Sequence, residues 1–121
     1  MTVSTNDTMN DSCLFCRIVR REIPATIVWE DEHSLAFRDI DPRAPTHVIV
    51  IPRTHIASLN EATDALLLGR LMLAAAAVAA AEGIAEQGYR TVVNTGAQAG
   101  QTVFHVHAHV LGGRRMAWPP G

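Results

Sequence analysis

Apolar residues recur along this chain in two rhythms, one helical and one alternating. Leu14, Phe15, Ile18 and Val19 fall at helical spacing and Pro24 stops the run, so a short helix is expected over Leu14 to Arg21. Two β-rich runs, Thr26 to Glu30 and Ser34 to Arg38, flank Asp31-Glu32-His33 and read as a hairpin. The segment Asp39 to Thr46 carries two prolines and two aspartates, which predicts a loop leading into a strand over His47 to Pro52. Leucine and alanine dominate from Glu61 to about Glu86, predicting a long helix ended near Gly83 or Gly88. Its alanine-rich face suits close packing against another helix, its own or a partner's. Further strands are expected over Arg90 to Asn94 and Val103 to Leu111, separated by the glycine-rich loop Thr95 to Thr102. Hairpin, strand, helix, strand, strand gives an α+β domain on an antiparallel sheet, with one long and one short helix.

Length and composition narrow the picture. A chain of 121 residues suits one domain, expected over residues 12–121, behind a polar lead-in over residues 1–11 that reads as a disordered tail. That lead-in lacks the basic start and apolar middle of a secretory signal. The apolar stretch Leu71 to Ala81 is too short for a membrane span. With a net charge of −2, a pI near 6.3 and scattered basic residues, no footprint for long nucleic acid is visible, whereas a small anionic ligand is compatible. Cys13 and Cys16 are too close to close a useful disulfide loop, which favours a reducing, cytoplasmic setting.

The candidate chemistry lies in His105-Val106-His107-Ala108-His109. On a strand the three histidines share one face and the valine and alanine take the other. The outer two then have backbones roughly 13 Å apart, and neighbours roughly 6.6 Å. One ion with nitrogen ligands at about 2.0–2.1 Å cannot take all three. An extended phosphate uses that spacing naturally, with one imidazole attacking phosphorus and its neighbours donating to the oxygens. Just upstream, Gly96, Ala97, Ala99 and Gly100 let backbone N–H groups turn toward an anion, and Gln101 and Thr102 add side-chain donors.

Those residues resemble the alternating signature of the histidine triad (HIT) superfamily. Arg21-Glu22-Ile23-Pro24-Ala25, Ala44-Pro45-Thr46-His47, Val50-Ile51-Pro52, Val93-Asn94 and Trp118-Pro119-Pro120-Gly121 extend the resemblance to its Hint branch, the nucleoside phosphoramidases. The resemblance implies a HIT-like fold and hydrolysis of purine nucleoside 5′-phosphoramidates through a nucleotidyl-histidine, with no organic cofactor. His107 would be the nucleophile. His109, the Gly100 backbone and Thr102 would hold phosphate oxygens, Asn94 would touch the ribose–phosphate junction, and Asp39 would accept from the ribose hydroxyls. Phe15, Ile18, Ile23, Phe37 and Ile40 would line the purine slot. Thr102 stands where members of this branch often have Ser, which keeps the hydroxyl. His109 stands where related nucleotidyltransferases have Gln, which favours hydrolysis over transfer.

Cys13-Leu14-Phe15-Cys16 is a C-x2-C pair, open to three readings: half of a zinc set, a redox pair, or two buried thiols. By resemblance to bacterial triad proteins, His55 from Pro52-Arg53-Thr54-His55 and His105 would complete a structural Zn2+ site. The same family implies a homodimer packed through the alanine-rich helix and the sheet, with the tail from Arg114 carrying Trp118 toward the partner's site. Two other functions remain open from the residues: a dinucleoside polyphosphate hydrolase, and a zinc-stabilised nucleotide-binding or interaction protein with little catalysis.

Overall fold

A computed structural model describes residues 11–121, so all of the expected tail except Asp11 lies outside the described residues. The order of regular elements is α1 (Leu14–Val19), β1 (Ile27–Glu30), β2 (Ser34–Arg38), β3 (Thr46–Pro52), α2 (Ala65–Ala81), β4 (Tyr89–Val92) and β5 (Ala108–Gly112). The five strands form one antiparallel sheet in the order β1-β2-β3-β5-β4. The α+β class, the antiparallel sheet and the pairing of one short with one long helix are as the sequence leads one to expect. Among the described residues no helix is long and apolar enough to cross a membrane.

Side-chain size divides the two faces of the sheet. Alternation along β2 and β3 places Ala36, Val48 and Val50 on one face, joined by Val110 of β5, and α2 lies over them. The helix meets this face with Leu71, Ala74, Ala75, Val78 and Ala79, spaced i, i+3, i+4, i+7 and i+8. Small residues on both sides allow close approach. The opposite face carries Leu35, Phe37, Ile49 and Ile51, packed with Cys13, Phe15, Cys16 and Ile18 from the region of α1. His109 pairs with Ile49 in the β3–β5 ladder and so stands on this second face, away from the long helix.

Element boundaries differ from expectation by one or two residues at α1, β1 and β3, and more informatively in three further places. The long helix begins at Ala65, because the Asp64 carboxylate caps it by accepting from the N–H groups of Leu66 and Leu67. It stops before Gly83, which has φ +77°. The strand expected over Arg90 to Asn94 is shifted to Tyr89–Val92. The consequential correction concerns the strand expected over Val103 to Leu111, which begins only at Ala108. The β3–β5 ladder runs no further than Val50 opposite Ala108, and continuing it would set Val106 against Pro52. Pro52 has no N–H to give, and its carbonyl already accepts from the His105 ring at 2.8 Å. Val106 N–H donates to Ile56 O instead, so His105 and His107 sit on irregular backbone ahead of the strand.

Gly112, near the end of β5, has no room for a side chain. A Cβ there would lie 2.6 Å from Ile84 Cδ1. Gly112→Ala is expected to cost about 1–3 kcal/mol in urea unfolding. Combined with Ile84→Ala it should cost clearly less than the two single losses added, since the tightest contact is then gone and only the 3.0 Å approach to the residue-84 Cβ remains.

Candidate functional site

A cavity of about 890 Å³ opens on the face away from α2. Its apolar side is formed by Phe15, Ile18, Ile23, Phe37 and Ile40; its polar side by Asp39, Asn94, Gly100, Thr102, His107 and His109. These eleven are the residues the sequence had nominated for a purine slot, a ribose and a phosphate, with two exceptions. Gln101 is turned inward and serves the loop: its Oε1 accepts from Gly96 N–H at 2.9 Å and its Nε2 donates to Ala57 O at 2.8 Å and to Val103 O at 3.2 Å. Trp118 is 82 % exposed and lies outside the cavity of its own chain. Its segment is moored to β4 by Arg90, which donates to Ala117 O at 2.9 Å and stands 6.0 Å from the Trp118 ring. Ile40, fully exposed, contributes only at the rim.

Backbone carbonyls set the tautomers of His105 and His107. A carbonyl oxygen can only accept, so the 2.8 Å contact between His107 Nδ1 and His105 O puts the proton on Nδ1 and leaves the lone pair on Nε2. The Phe15 ring stands edge-on to the same imidazole, centroids 5.0 Å apart. His105 donates from Nε2 to Pro52 O, which leaves its Nδ1 lone pair facing the cysteines. Burial lowers the pKa of His107, opposed by that carbonyl bond and by Asp39, and pushes His105 down to about 4. Burial, with His107 and His47 close by, takes His109 to about 4 as well. All three are uncharged at neutral pH.

His47 belongs to the site although the sequence did not single it out. Its Nδ1 accepts from Arg43 N–H at 3.0 Å, so its proton is on Nε2, pointing at His109 Nδ1 at 2.9 Å and Asp39 Oδ2 at 3.3 Å. His109 therefore accepts at Nδ1 and carries its own proton on Nε2. Asp39, His47 and His109 lie close enough to hold an ion, yet the Arg43 bond keeps the His47 lone pair turned away, and the cluster is a hydrogen-bond chain. The available signal was the alternation of β3, which puts His47 on the same face as Ile49 and Ile51.

A second cluster, Cys13, Cys16, His55 and His105, has its four ligand atoms within 4.8 Å of one another. Cys13 Sγ and Cys16 Sγ lie 3.4 and 3.5 Å from His105 Nδ1, Cys16 Sγ lies 3.3 Å from His55 Nδ1, and the two nitrogens are 3.3 Å apart. With sulfur at about 2.3 Å and nitrogen at about 2.0–2.1 Å, the edges of a tetrahedral site are roughly 3.3–3.8 Å. The donor set, its burial and these distances fit a tetrahedral metal ion. Lining up with the cavity on one side and the metal cluster on the other, His105 and His107 serve different sites although only one residue separates them.

An antiparallel α+β domain with a histidine-lined cleft opposite its long helix is the frame in which these residues meet. The family model for the HIT domain matches residues 20–116, and the chain belongs to the HIT domain family. It is similar to a HIT-like protein of Synechococcus elongatus, 57% identical over 115 residues covering 93% of this chain and all of that one. A 14 kDa zinc-binding protein of Zea mays is 49% identical, covering 89% of this chain and 87% of its own. Among solved structures, a HIT family hydrolase from Legionella pneumophila superposes with a TM-score of 0.88 at 53% identity, covering 91% of this chain and 100% of that chain.

Proposed function

We propose that this protein hydrolyses purine nucleoside 5′-phosphoramidates to a nucleoside monophosphate and an amine. One observation carries the reading: His107, uncharged and protonated on Nδ1 by its bond to His105 O, lines a cavity with an apolar half and a polar half, leaving Nε2 as the lone-pair nitrogen. Attack by Nε2 on the α-phosphorus forms a phosphorus–nitrogen bond to the ring and breaks the one to the amine. Nε2–H of His109, oriented by the chain from Arg43 through His47, donates a hydrogen bond to the departing nitrogen, which takes its proton from water and leaves hydroxide behind. That hydroxide then cleaves the nucleotidyl-histidine, which returns His107 to its starting form and releases the monophosphate.

Gly100, at φ +94°, and Thr102 would meet the phosphate oxygens, Asn94 the ribose–phosphate junction, and Asp39 the ribose hydroxyls. Phe15, Ile18, Ile23 and Phe37 would enclose the base. The Legionella relative, named a hydrolase, agrees with hydrolysis over transfer. A reducing, cytoplasmic setting suits two cysteines kept reduced. We assign the Cys13–Cys16–His55–His105 cluster to structural Zn2+, in line with its tetrahedral edges and with the maize zinc-binding relative. When bound, the ion supplies cross-linking rather than reaction chemistry, because all four of its positions are taken by protein.

A second copy of the chain is the expected partner. The outer side of α2 leaves Leu66, Met72 and Leu73 exposed, at 60%, 42% and 73%, and β4 is an edge strand with an open row of backbone groups.

His107→Asn is expected to lower turnover of adenosine 5′-phosphoramidate by about 10³-fold or more while AMP binding persists; turnover that survives removes His107 as nucleophile. The parent protein should prefer this substrate to a diadenosine polyphosphate in parallel assays, and the reverse preference would favour the longer substrate. Metal analysis should find one zinc per chain, with Cys16→Ser weakening retention roughly 10- to 100-fold. Sedimentation should give a dimer that Leu73→Glu converts to monomer; a monomeric parent would discard the interface.

A further inference from the structure

The metal cluster and the nucleophile share a backbone. His105 presents its ring to Cys13, Cys16 and His55, and its carbonyl to His107 Nδ1–H at 2.8 Å. The intervening residue, Val106, has left the sheet ladder and is held by Ile56 O, and Ile56 follows the metal-facing His55. A third link comes from α1: Phe15, between the two cysteines, touches His107 edge-on at 5.0 Å and His105 at 6.0 Å. Residues 103–107 have no strand pairing of their own, so nothing in the sheet fixes the His107 ring before Ala108 enters β5.

We propose that the Cys13–Cys16–His55–His105 cluster, when it holds its metal, is a positioning device for the nucleophile. It clamps two irregular segments, 53–57 and 103–107, and the short helix against one another, so that His105 O stays in place as the acceptor for His107. His105 is then a positioning residue acting through its carbonyl, in addition to its place in the cluster. The inference rests on the assignment of His107 as the nucleophile. A purely structural metal site would raise the melting temperature without altering the ring two residues away.

The test uses full-length protein carrying 15N-labelled histidine, in zinc-loaded, chelator-treated and cadmium-loaded forms. Nitrogen shifts of the His107 ring report its tautomer independently of turnover. Zinc-loaded protein should show His107 as a single tautomer with its proton on Nδ1. Metal removal should mix the tautomers and lower kcat for adenosine phosphoramidate by roughly 10- to 100-fold, with a much smaller change in AMP affinity and recovery on adding zinc. Unchanged His107 shifts and kcat in folded, metal-free protein would overturn the proposal and leave the nucleophile assignment intact. If the metal-free chain does not fold, the cadmium form decides: His107 shifts that move with the larger ion support the clamp, and shifts identical to zinc overturn it. Turnover persisting in zinc-loaded His107→Asn would instead strike the nucleophile assignment, while the tautomer shifts still report on the clamp.

Discussion

The hydrogen bond from His105 Nε2 to the carbonyl of Pro52 organises everything around the cavity. It occupies the acceptor that the β3–β5 ladder needs next, beside a residue that has no donor, and so the ladder ends at Ala108. The same bond decides the His105 tautomer and thereby turns an Nδ1 lone pair toward the two cysteines and His55. One backbone oxygen thus ends a strand and completes a metal-ligand set. The buried ring is uncharged, as a ligand nitrogen must be, because desolvation carries its pKa to about 4.

From that point the histidines form a directional series. His105 gives its ring to one site and its carbonyl to His107; His107 is left with a lone pair on Nε2; His109 accepts from His47 and keeps a proton on Nε2. On the proposed reading a nucleophile and a hydrogen-bond donor are therefore neighbours, ring centroids 5.0 Å apart, with opposite roles set by the partner of each ring rather than by residue type. Five uncharged imidazoles crowd together without mutual repulsion because burial disfavours the charged form of each. Asp39 opposes that tendency at His47, His107 and His109, which keeps their pKa values from falling further.

Much of this was legible in the chain. The two-residue period of Ser34–Arg38 and Thr46–Pro52, and the placing of small residues against large ones, determine which sheet face meets α2. The cavity residues were legible through resemblance more than through pattern, since an Ile or Phe at the cavity wall and one in the core look alike in sequence. Alternation misled at Val103–His107, because a period of two describes side chains that would fit a strand and cannot reveal that the partner strand ends in proline. Gln101 misled for a related reason: a donor after a glycine-rich loop looks available to a phosphate, but three half-buried backbone groups, of Gly96, Ala57 and Val103, take its bonds first. His47 was missed because its role depends on Arg43 N–H, a backbone group that leaves no trace in residue type.

Irregular backbone at His107 is the expected outcome of the competing demands on this segment. A regular strand would place His105 and His107 side by side on one face, both facing the same cleft, and the metal cluster would lose its fourth donor. Breaking the ladder for a few residues lets neighbouring histidines face two sites. The cost is the loss of sheet hydrogen bonds that would otherwise hold them, which the Val106–Ile56 bond replaces only in part. The remaining restraint must come from side chains, and those in contact with the segment include the cysteine–histidine cluster, Phe15 and Gln101. The proposed nucleophile placed off the sheet and a cysteine–histidine cluster placed beside it are therefore two consequences of one backbone arrangement.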